Sequence, residues 1–258
     1  MINPGNELSS IRMQKPILHV FLISHYCEKA RWALDLAGVD YSVNLLSPLK
    51  HNKTAKRIGA KRSALPILQC ESYLIQGSSN ITAWANKQSS LNGDPVLSIS
   101  GESIDMEKRL DDILGVHVRR WFYSESIVDC PEIVKPVFAY GSGIVDRALL
   151  SLAWPKLTAA MIKLMDLGAD QEIESRDIVE AELDWLDSLL LDRQPFLLGN
   201  SLSNADLAAA SLMAPIFAPE AHPASAVIKL PPRAKALAGQ WRSRPFAKWL
   251  DELYLKYR

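Results

Sequence analysis

A change in hydrophobic period near residue 95 constrains the fold more than any other feature of the sequence. Before this point, apolar residues form short runs of strand length, with helical stripes between and after them. Beyond Pro95, every strong pattern has the helical period and no comparable strand pattern appears. A cluster of turn-forming residues, Gln88 to Pro95, lies at the change. The sequence therefore predicts a tail at 1–15, a mixed α/β unit at 16–88, a linker at 89–97 and an all-helical unit at 98–258.

The first unit has the element order β-α-β, then a loop, then β-β-α. The near-continuous apolar run from Ile17 to Ile23 predicts a strand buried on both faces. Gly38 is well placed to end the helix that follows. The remaining predicted elements are a strand at Tyr41 to Leu45, a basic loop at Ser47 to Lys61, a hairpin of Pro66 to Cys70 and Ser72 to Ile75, and a helix at Ser78 to Lys87.

In the second unit, the clearest helix is predicted from Gln171 to Leu191. Its apolar stripe consists of Val179, Leu183, Leu186 and Leu190. We expect further helices at Glu102 to Tyr123, Val145 to Met165, Asn204 to Phe217 and the C-terminus, where Pro245 should divide the last one.

Composition excludes several classes of protein. The formal net charge of zero argues against a nucleic-acid binder with a basic surface. No apolar run approaches the roughly 18 residues that span a bilayer, so we expect no membrane segment. The three cysteines are widely spaced and odd in number, which favours a reducing, cytoplasmic location. No pair of cysteines or histidines has zinc-site spacing, and we expect no metal.

Ser24-His25-Tyr26-Cys27 is the segment that points to chemistry. It joins the first strand to the first helix and puts a hydroxyl and a thiol in the first helical turn. Backbone N–H groups there lack intrahelical partners, and the helix dipole is positive. Such a site stabilises a thiolate, whether it belongs to the protein or to a bound ligand.

Each of the two candidate residues has a structural alternative. Ser24 could serve only as the N-cap, with its hydroxyl accepting from the N–H groups of the first turn. Cys27 shares the apolar stripe of the helix with Ala30 and Leu34, where cysteine is often a small buried hydrophobe. The sequence leaves both alternatives open.

Four motifs, taken in order, resemble those of cytosolic glutathione transferases, in particular serine-type or atypical bacterial-like members. They are Ser24-His25-Tyr26-Cys27-Glu28-Lys29-Ala30-Arg31, Ala64-Leu65-Pro66-Ile67-Leu68, Ser78-Ser79-Asn80-Ile81 and Ser203-Asn204-Ala205-Asp206. The resemblance extends over nearly the whole chain. It implies a thioredoxin-like N-terminal domain followed by a helical-bundle domain, an α+β arrangement, and a homodimer.

The resemblance also implies roles for individual residues. Ser24 would donate to the sulfur of bound glutathione. Pro66 would follow a cis bond, so that the Leu65 backbone pairs with glutathione as an added strand. Ser78, at a helix start, would hold the γ-glutamyl carboxylate. Gly77 stands where the family usually has an acidic residue or glutamine, which removes one contact to the ligand.

Three further expectations concern the rest of the site. Lys53 is a candidate for the glycyl carboxylate of glutathione. Ser203 and Asp206 are expected to form a capping box that supports the helical domain. The aromatic residues that could line an apolar second-substrate site are Trp121, Tyr123, Phe138, Tyr140 and Trp154.

Three functions follow as hypotheses. The first is transfer of glutathione to an apolar electrophile, with Ser24 stabilising the thiolate. The second is a glutathione-dependent thiol-disulfide oxidoreductase that uses Cys27. The third is a non-catalytic module that binds glutathione or a partner, which the departure at Gly77 keeps open.

Overall fold

A four-stranded mixed sheet forms the centre of the N-terminal part. The computed structural model describes residues 15–93, 95–191 and 194–258, so the predicted tail, apart from Lys15, lies outside the described residues. The strands are β1 (Ile17–Val20), β2 (Ser42–Leu45), β3 (Ile67–Gln69) and β4 (Leu74–Gln76), in the order β2-β1-β3-β4. Strand β1 is parallel to β2 and antiparallel to β3, and β3 is antiparallel to β4.

Three helices complete this part: α1 (His25–Leu36), α2 (His51–Arg57) and α3 (Ser78–Asn92). Helices α1 and α3 pack against each other. Gly38 has a φ of 64° after the end of α1, as expected for the residue that ends a helix. The thioredoxin-like arrangement predicted from the sequence is confirmed.

Three predicted boundaries in this part were wrong. Strand β1 ends at Val20, and the apolar residues that follow it, up to Ile23, line a cavity instead. The expected loop at Ser47 to Lys61 contains α2. This helix has no apolar stripe that could reveal it in the sequence, because only Thr54 and Ala55 are buried. Helix α3 continues to Asn92, so the linker predicted at 89–97 begins too early.

The second part is helical, as predicted. Its helices are α4 (Gly101–Arg109), α5 (Gly115–Val128), α6 (Pro131–Phe138), α7 (Ile144–Met165), α8 (Ala169–Leu189), α9 (Asn204–Phe217), α10 (Pro232–Trp241) and α11 (Pro245–Tyr257), with a π-helical turn at Leu110–Leu114 between α4 and α5. Helix α9 is buried along its whole length and contacts α1, so it joins the two parts.

Local sequence signals account for several of these boundaries. Pro245 divides the C-terminal helices, as predicted. Ser203 and Asp206 form the predicted capping box: the Ser203 Oγ accepts from the Asp206 N–H at 3.3 Å, and the Ser203 N–H donates to Asp206 Oδ2 at 2.8 Å. Helix α6 was missed, because Pro136 lies inside its eight residues.

Helix α7 is unusually exposed for an apolar helix. Leu150 is its one fully buried residue, whereas Ile144, Leu152 and Leu164 are each more than 80% exposed. By length and composition alone, α7 is the one helix in the described part of the chain that could cross a membrane. The helix is not an uninterrupted apolar run, because it contains Asp146, Arg147, Lys156 and Lys163. The inner face of α7 packs on α5 and closes a cavity.

Candidate functional site

Ser24 is the N-cap of α1. Its backbone is extended, with φ −77° and ψ 115°, and its Oγ accepts from the Cys27 N–H at 3.3 Å. The predicted capping role is therefore present. The half-buried side chain lines the cavity, and its hydroxyl also lies close enough to the Cys27 thiol to favour the thiolate and so lower the pKa of that thiol. Ser24 can cap the helix and still donate a hydrogen bond to a ligand.

Cys27 does not reach this cavity. Its side chain is 1% exposed and packs in the hydrophobic core with Ala30 and Leu34. Burial raises the pKa of the Cys27 thiol to about 11, despite its place in the first helical turn. The assignment of Cys27 as a catalytic residue is therefore not supported, because the thiol is neutral at pH 7 and inaccessible from the cavity.

The cavity lies between the two parts of the chain and has a volume of about 690 Å³, within the usual range for ligand sites. One wall comes from the N-terminal part and the other from α5, α6 and α7. The residues that line it include Phe21, Ile23, Ser24, His25, Tyr26, Leu65, Arg119, Phe122, Tyr123, Phe138, Tyr140, Leu157, Met161 and Leu164.

The Leu65-Pro66 bond is cis, as predicted. Leu65 lines the cavity, and its N–H and C=O have no hydrogen-bond partner among the described residues. The Pro66 C=O accepts from the Gly77 N–H at 3.1 Å. The backbone of Leu65 is thus free to pair with an extended ligand on the same wall as Ser24.

The start of α3 differs in detail from the prediction. Gly77 is the N-cap, with a φ of 90° that favours glycine, and Ser78 is the first residue inside the helix. Ser78 is buried and is absent from the lining of the cavity. Gln76 Nε2 donates to the Arg62 C=O at 2.7 Å, and its Oε1 accepts from the Lys61 N–H, so its amide is not turned to a ligand.

Lys53 is exposed on α2 and does not line the cavity. The predicted contact of Lys53 with a ligand is therefore not supported. Its neighbours His51 and Asn52 are at the cavity instead. The His51 Nδ1 lies 2.7 Å from the Pro48 C=O and must donate to it, because a carbonyl only accepts.

A buried polar cluster anchors α1 behind the site. Lys29 is fully buried and its Nζ lies 2.6 Å from both Asp111 carboxylate oxygens and 2.9 Å from Glu107 Oε1. The Tyr26 hydroxyl donates to the Asp111 C=O at 2.6 Å. Asp111 lies in the π-helical turn, a feature often found near functional sites. This cluster fixes α1, and with it Ser24, against the helical part.

His25 and Arg119 set the electrostatics of the cavity. Burial is the largest cause that lowers the pKa of His25 to about 3, and the Arg119 cation adds to it. His25 is therefore neutral at pH 7. Its Nε2 and the Arg119 Nε are both buried without a hydrogen-bond partner in the described structure.

Three of the five predicted aromatic residues line the cavity: Tyr123, Phe138 and Tyr140. Trp121 instead packs in the core against Trp241, with ring centroids 5.5 Å apart. Trp154 does not line the cavity and packs against Phe138, with ring centroids 5.9 Å apart.

Sequence reasoning missed Arg119, Phe122 and the inner face of α7. The position of Arg119 at the cavity could have been predicted, because it lies one turn before Tyr123 in the same predicted helix. Residues four apart share a helix face. The adjacent Arg120 pairs with Asp166 and Glu174 and does not line the cavity, so the arginine pair itself did not show which member lines it.

Comparison with known proteins finds a family match in the N-terminal part, over less than a third of the chain. Residues 18–93 match the family model of the glutathione S-transferase N-terminal domain. No curated protein matches the sequence.

Several solved structures are similar over the length of the chain. Glutathione transferase GSTFuA2 from Phanerochaete chrysosporium is 16% identical with a TM-score of 0.64, covering 95% of this chain and 98% of that one. The glutathione S-transferase CsGST63524 of Ceriporiopsis subvermispora, in complex with glutathione, is 15% identical with a TM-score of 0.60 and the same coverage. Beta-etherase LigF from Sphingobium sp. strain SYK-6 is 16% identical with a TM-score of 0.57, covering 93% and 99%. At these identities the likeness establishes a common fold.

Proposed function

Because residues 18–93 match the glutathione S-transferase N-terminal domain and the chain shares the fold of solved glutathione transferases, we propose that this protein transfers glutathione to an electrophilic small molecule. One observation carries the proposal: Ser24 and the unpaired backbone of Leu65 share a cavity wall, opposite an apolar wall from the helical part. The first wall suits an extended thiol peptide and the second suits an apolar reactant.

Ser24 and the start of α1 supply thiolate stabilisation in this proposal. Accepting from the Cys27 N–H uses an oxygen lone pair of Ser24, and in this proposal its proton turns to the glutathione sulfur rather than to the buried Cys27 thiol. A hydrogen bond and a positive helix terminus both favour the anion over the neutral thiol. Tyr26 is excluded from this role, because its hydroxyl donates to the Asp111 C=O.

The reaction then needs no redox partner. The glutathione thiol loses its proton to solvent, and the thiolate sulfur forms a bond to the electrophilic carbon. A leaving group departs with the electron pair of the broken bond. The protein holds the two reactants together and raises the thiolate fraction, which are the two effects that the site geometry can provide.

The alternative based on thiol-disulfide exchange loses its candidate nucleophile. Cys27 is buried and has a raised pKa, and the other two cysteines, Cys70 and Cys130, do not line the cavity. We therefore do not carry the oxidoreductase forward. A homodimer and a cytoplasmic location remain part of the proposal, and sedimentation of the purified protein tests the first of these.

Kinetics of a serine variant test the proposal. We expect Ser24→Ala to lower kcat/KM with a chlorodinitrobenzene by about tenfold to a hundredfold, the range for one hydrogen bond to a charged group. Ser100→Ala is the matched control. Ser100 is the N-cap of α4, accepts from the Ser103 N–H at 3.1 Å and lies outside the cavity, so its loss removes a cap and leaves the site intact.

Calorimetry with glutathione separates the remaining outcomes. Binding by the wild-type protein together with a rate loss confined to Ser24→Ala supports the proposal. Equal losses in the two variants would show that Ser24 only caps the helix. Glutathione binding without turnover of any electrophile would instead support the non-catalytic module.

A further inference from the structure

Arg119 is a cation without a counter-ion in a cavity whose other lining side chains are apolar or neutral polar. Its Nε is buried without a hydrogen-bond partner, and no described carboxylate lies within 4.0 Å of its guanidinium. All the lining residues belong to the described part of the chain; none of them is Asp or Glu, and Arg119 is the one Lys or Arg among them. A partly buried charge is costly unless it is paired, so this arrangement points to a partner supplied by a ligand.

The groups around Arg119 do not compensate its charge. His25 is neutral at pH 7, because burial and Arg119 itself lower its pKa. Burial raises the pKa of Tyr123 to about 12, so its hydroxyl is neutral as well. The cavity that Ser24 lines therefore carries a net positive charge.

Arg119 lies on the wall that the glutathione peptide is not expected to use. It comes from α5, with Phe122 and Tyr123 three and four residues later on the same helix face. The residues predicted for the two glutathione carboxylates, Ser78 on α3 and Lys53 on α2, belong to the N-terminal part, and neither lines the cavity. Apolar side chains of α7, among them Leu157 and Met161, also line the cavity.

We propose that Arg119 selects a second substrate that carries an anionic group, such as a carboxylate, on an apolar body. The anion would pair with the guanidinium, while Phe122 and the inner face of α7 hold the apolar part. Arginine suits this task because its planar fork binds a carboxylate through two hydrogen bonds. The substrate role rests on the proposed function, whereas anion binding by the cavity can be measured without it.

Two fluorescent probes of nearly the same shape test anion binding without glutathione. Anilinonaphthalene sulfonate is anionic, and N-phenylnaphthylamine is neutral. We expect Arg119→Met to weaken binding of the sulfonate relative to the neutral probe by about tenfold to a hundredfold. Arg119→Lys keeps the charge and should retain most of the preference. Arg176→Met removes a surface arginine that pairs with Asp177 and should leave the ratio unchanged.

A matched pair of electrophiles extends the test to catalysis. With a chloronitrobenzoate and its neutral amide, the wild-type ratio of kcat/KM should favour the acid, and Arg119→Met should lower that ratio by a similar factor. An unchanged probe ratio in Arg119→Met would overturn the inference. The inference would also be overturned if Arg119→Met lost affinity for glutathione and lowered kcat/KM equally with both electrophiles, because Arg119 would then bind glutathione. A changed probe ratio in a protein with no transferase activity would support the anion site and refute only the proposed function.

Discussion

A buried ion pair between α11 and α1 yields the sharpest stability prediction. The Nε of Arg258, the C-cap residue of α11, donates to Glu28 Oε1 at 2.6 Å, and its Nη1 donates to Asp35 Oδ2 at 2.5 Å. The side chains of Arg258 and Glu28 are 6% and 3% exposed. Trp32 Nε1 also donates to the Tyr257 C=O at 2.7 Å. Helix α11 thereby holds the helix whose N-terminus forms the candidate site.

Replacing Arg258 with methionine should be strongly destabilising. The Glu28 carboxylate would remain buried without its partner, and breaking a buried pair in this way costs about 3–5 kcal/mol. The bond to Asp35, whose side chain is 40% exposed, adds at most about 1 kcal/mol. Burial raises the pKa of Glu28, and Arg258 opposes this rise. In Arg258→Met the pKa should rise further, so the loss should shrink at acidic pH, where protonation removes the buried charge.

Urea unfolding at neutral pH measures the effect. Arg176→Met, which breaks an exposed pair with Asp177, should cost less than about 1 kcal/mol. Glu28→Gln combined with Arg258→Met should recover part of the loss, since no uncompensated charge remains. A loss below about 1 kcal/mol in Arg258→Met, or strict additivity in the double variant, would refute the buried-pair explanation.

Three further predictions concern residues around the site. A Cβ on Gly115 would lie 2.5 Å from the Tyr26 hydroxyl, so Gly115→Ala should lower the free energy of unfolding by about 1–3 kcal/mol. Gly239 lies in open space on α10, so Gly239→Ala should raise the free energy of unfolding by up to about 1 kcal/mol. Equal effects of the two substitutions in urea unfolding would count against the contact. The pKa of His25 is lowered to about 3 in the folded protein, so the unfolded chain takes up a proton first as pH falls. Between pH 7 and pH 5, the free energy of unfolding of the wild-type protein should therefore fall by about 2 kcal/mol more than that of His25→Gln. Parallel pH profiles of unfolding for the two proteins would contradict this. Cys27→Ala should retain wild-type kcat with a chlorodinitrobenzene, and loss of turnover in a folded variant would restore Cys27 as a catalytic residue.

The sequence predicted the fold where local signals and periodicity agree. The order of elements along the N-terminal part, the helix breaks at Gly38 and Pro245, and the capping box at Ser203 all follow from residue types with strong local preferences. Helix α2 was missed because its residues are polar on every side and few are buried. Helix α6 was missed because a proline inside a short helix hides the period.

The candidate site was harder to predict, because it depends on which side chains converge from distant elements. Ser24 and Leu65 were found through local motifs, and both line the cavity. Lys53 was a plausible ligand by charge alone, but its side chain is exposed on α2. Arg119 was missed because its neighbour Arg120 is identical in type, and only packing of α5 decides which of the two lines the cavity.

Titration of glutathione bound to the protein tests the central claim most directly. The ultraviolet absorbance of the thiolate, followed against pH, gives the pKa of the bound thiol in the wild-type protein and in Ser24→Ala. We expect the wild-type protein to lower this pKa by about one to two units from its free value, and Ser24→Ala to lose most of that shift, since one unit corresponds to about 1.4 kcal/mol of differential stabilisation. A bound thiol with the same pKa in both proteins would contradict the assignment of Ser24 as the residue that stabilises the thiolate.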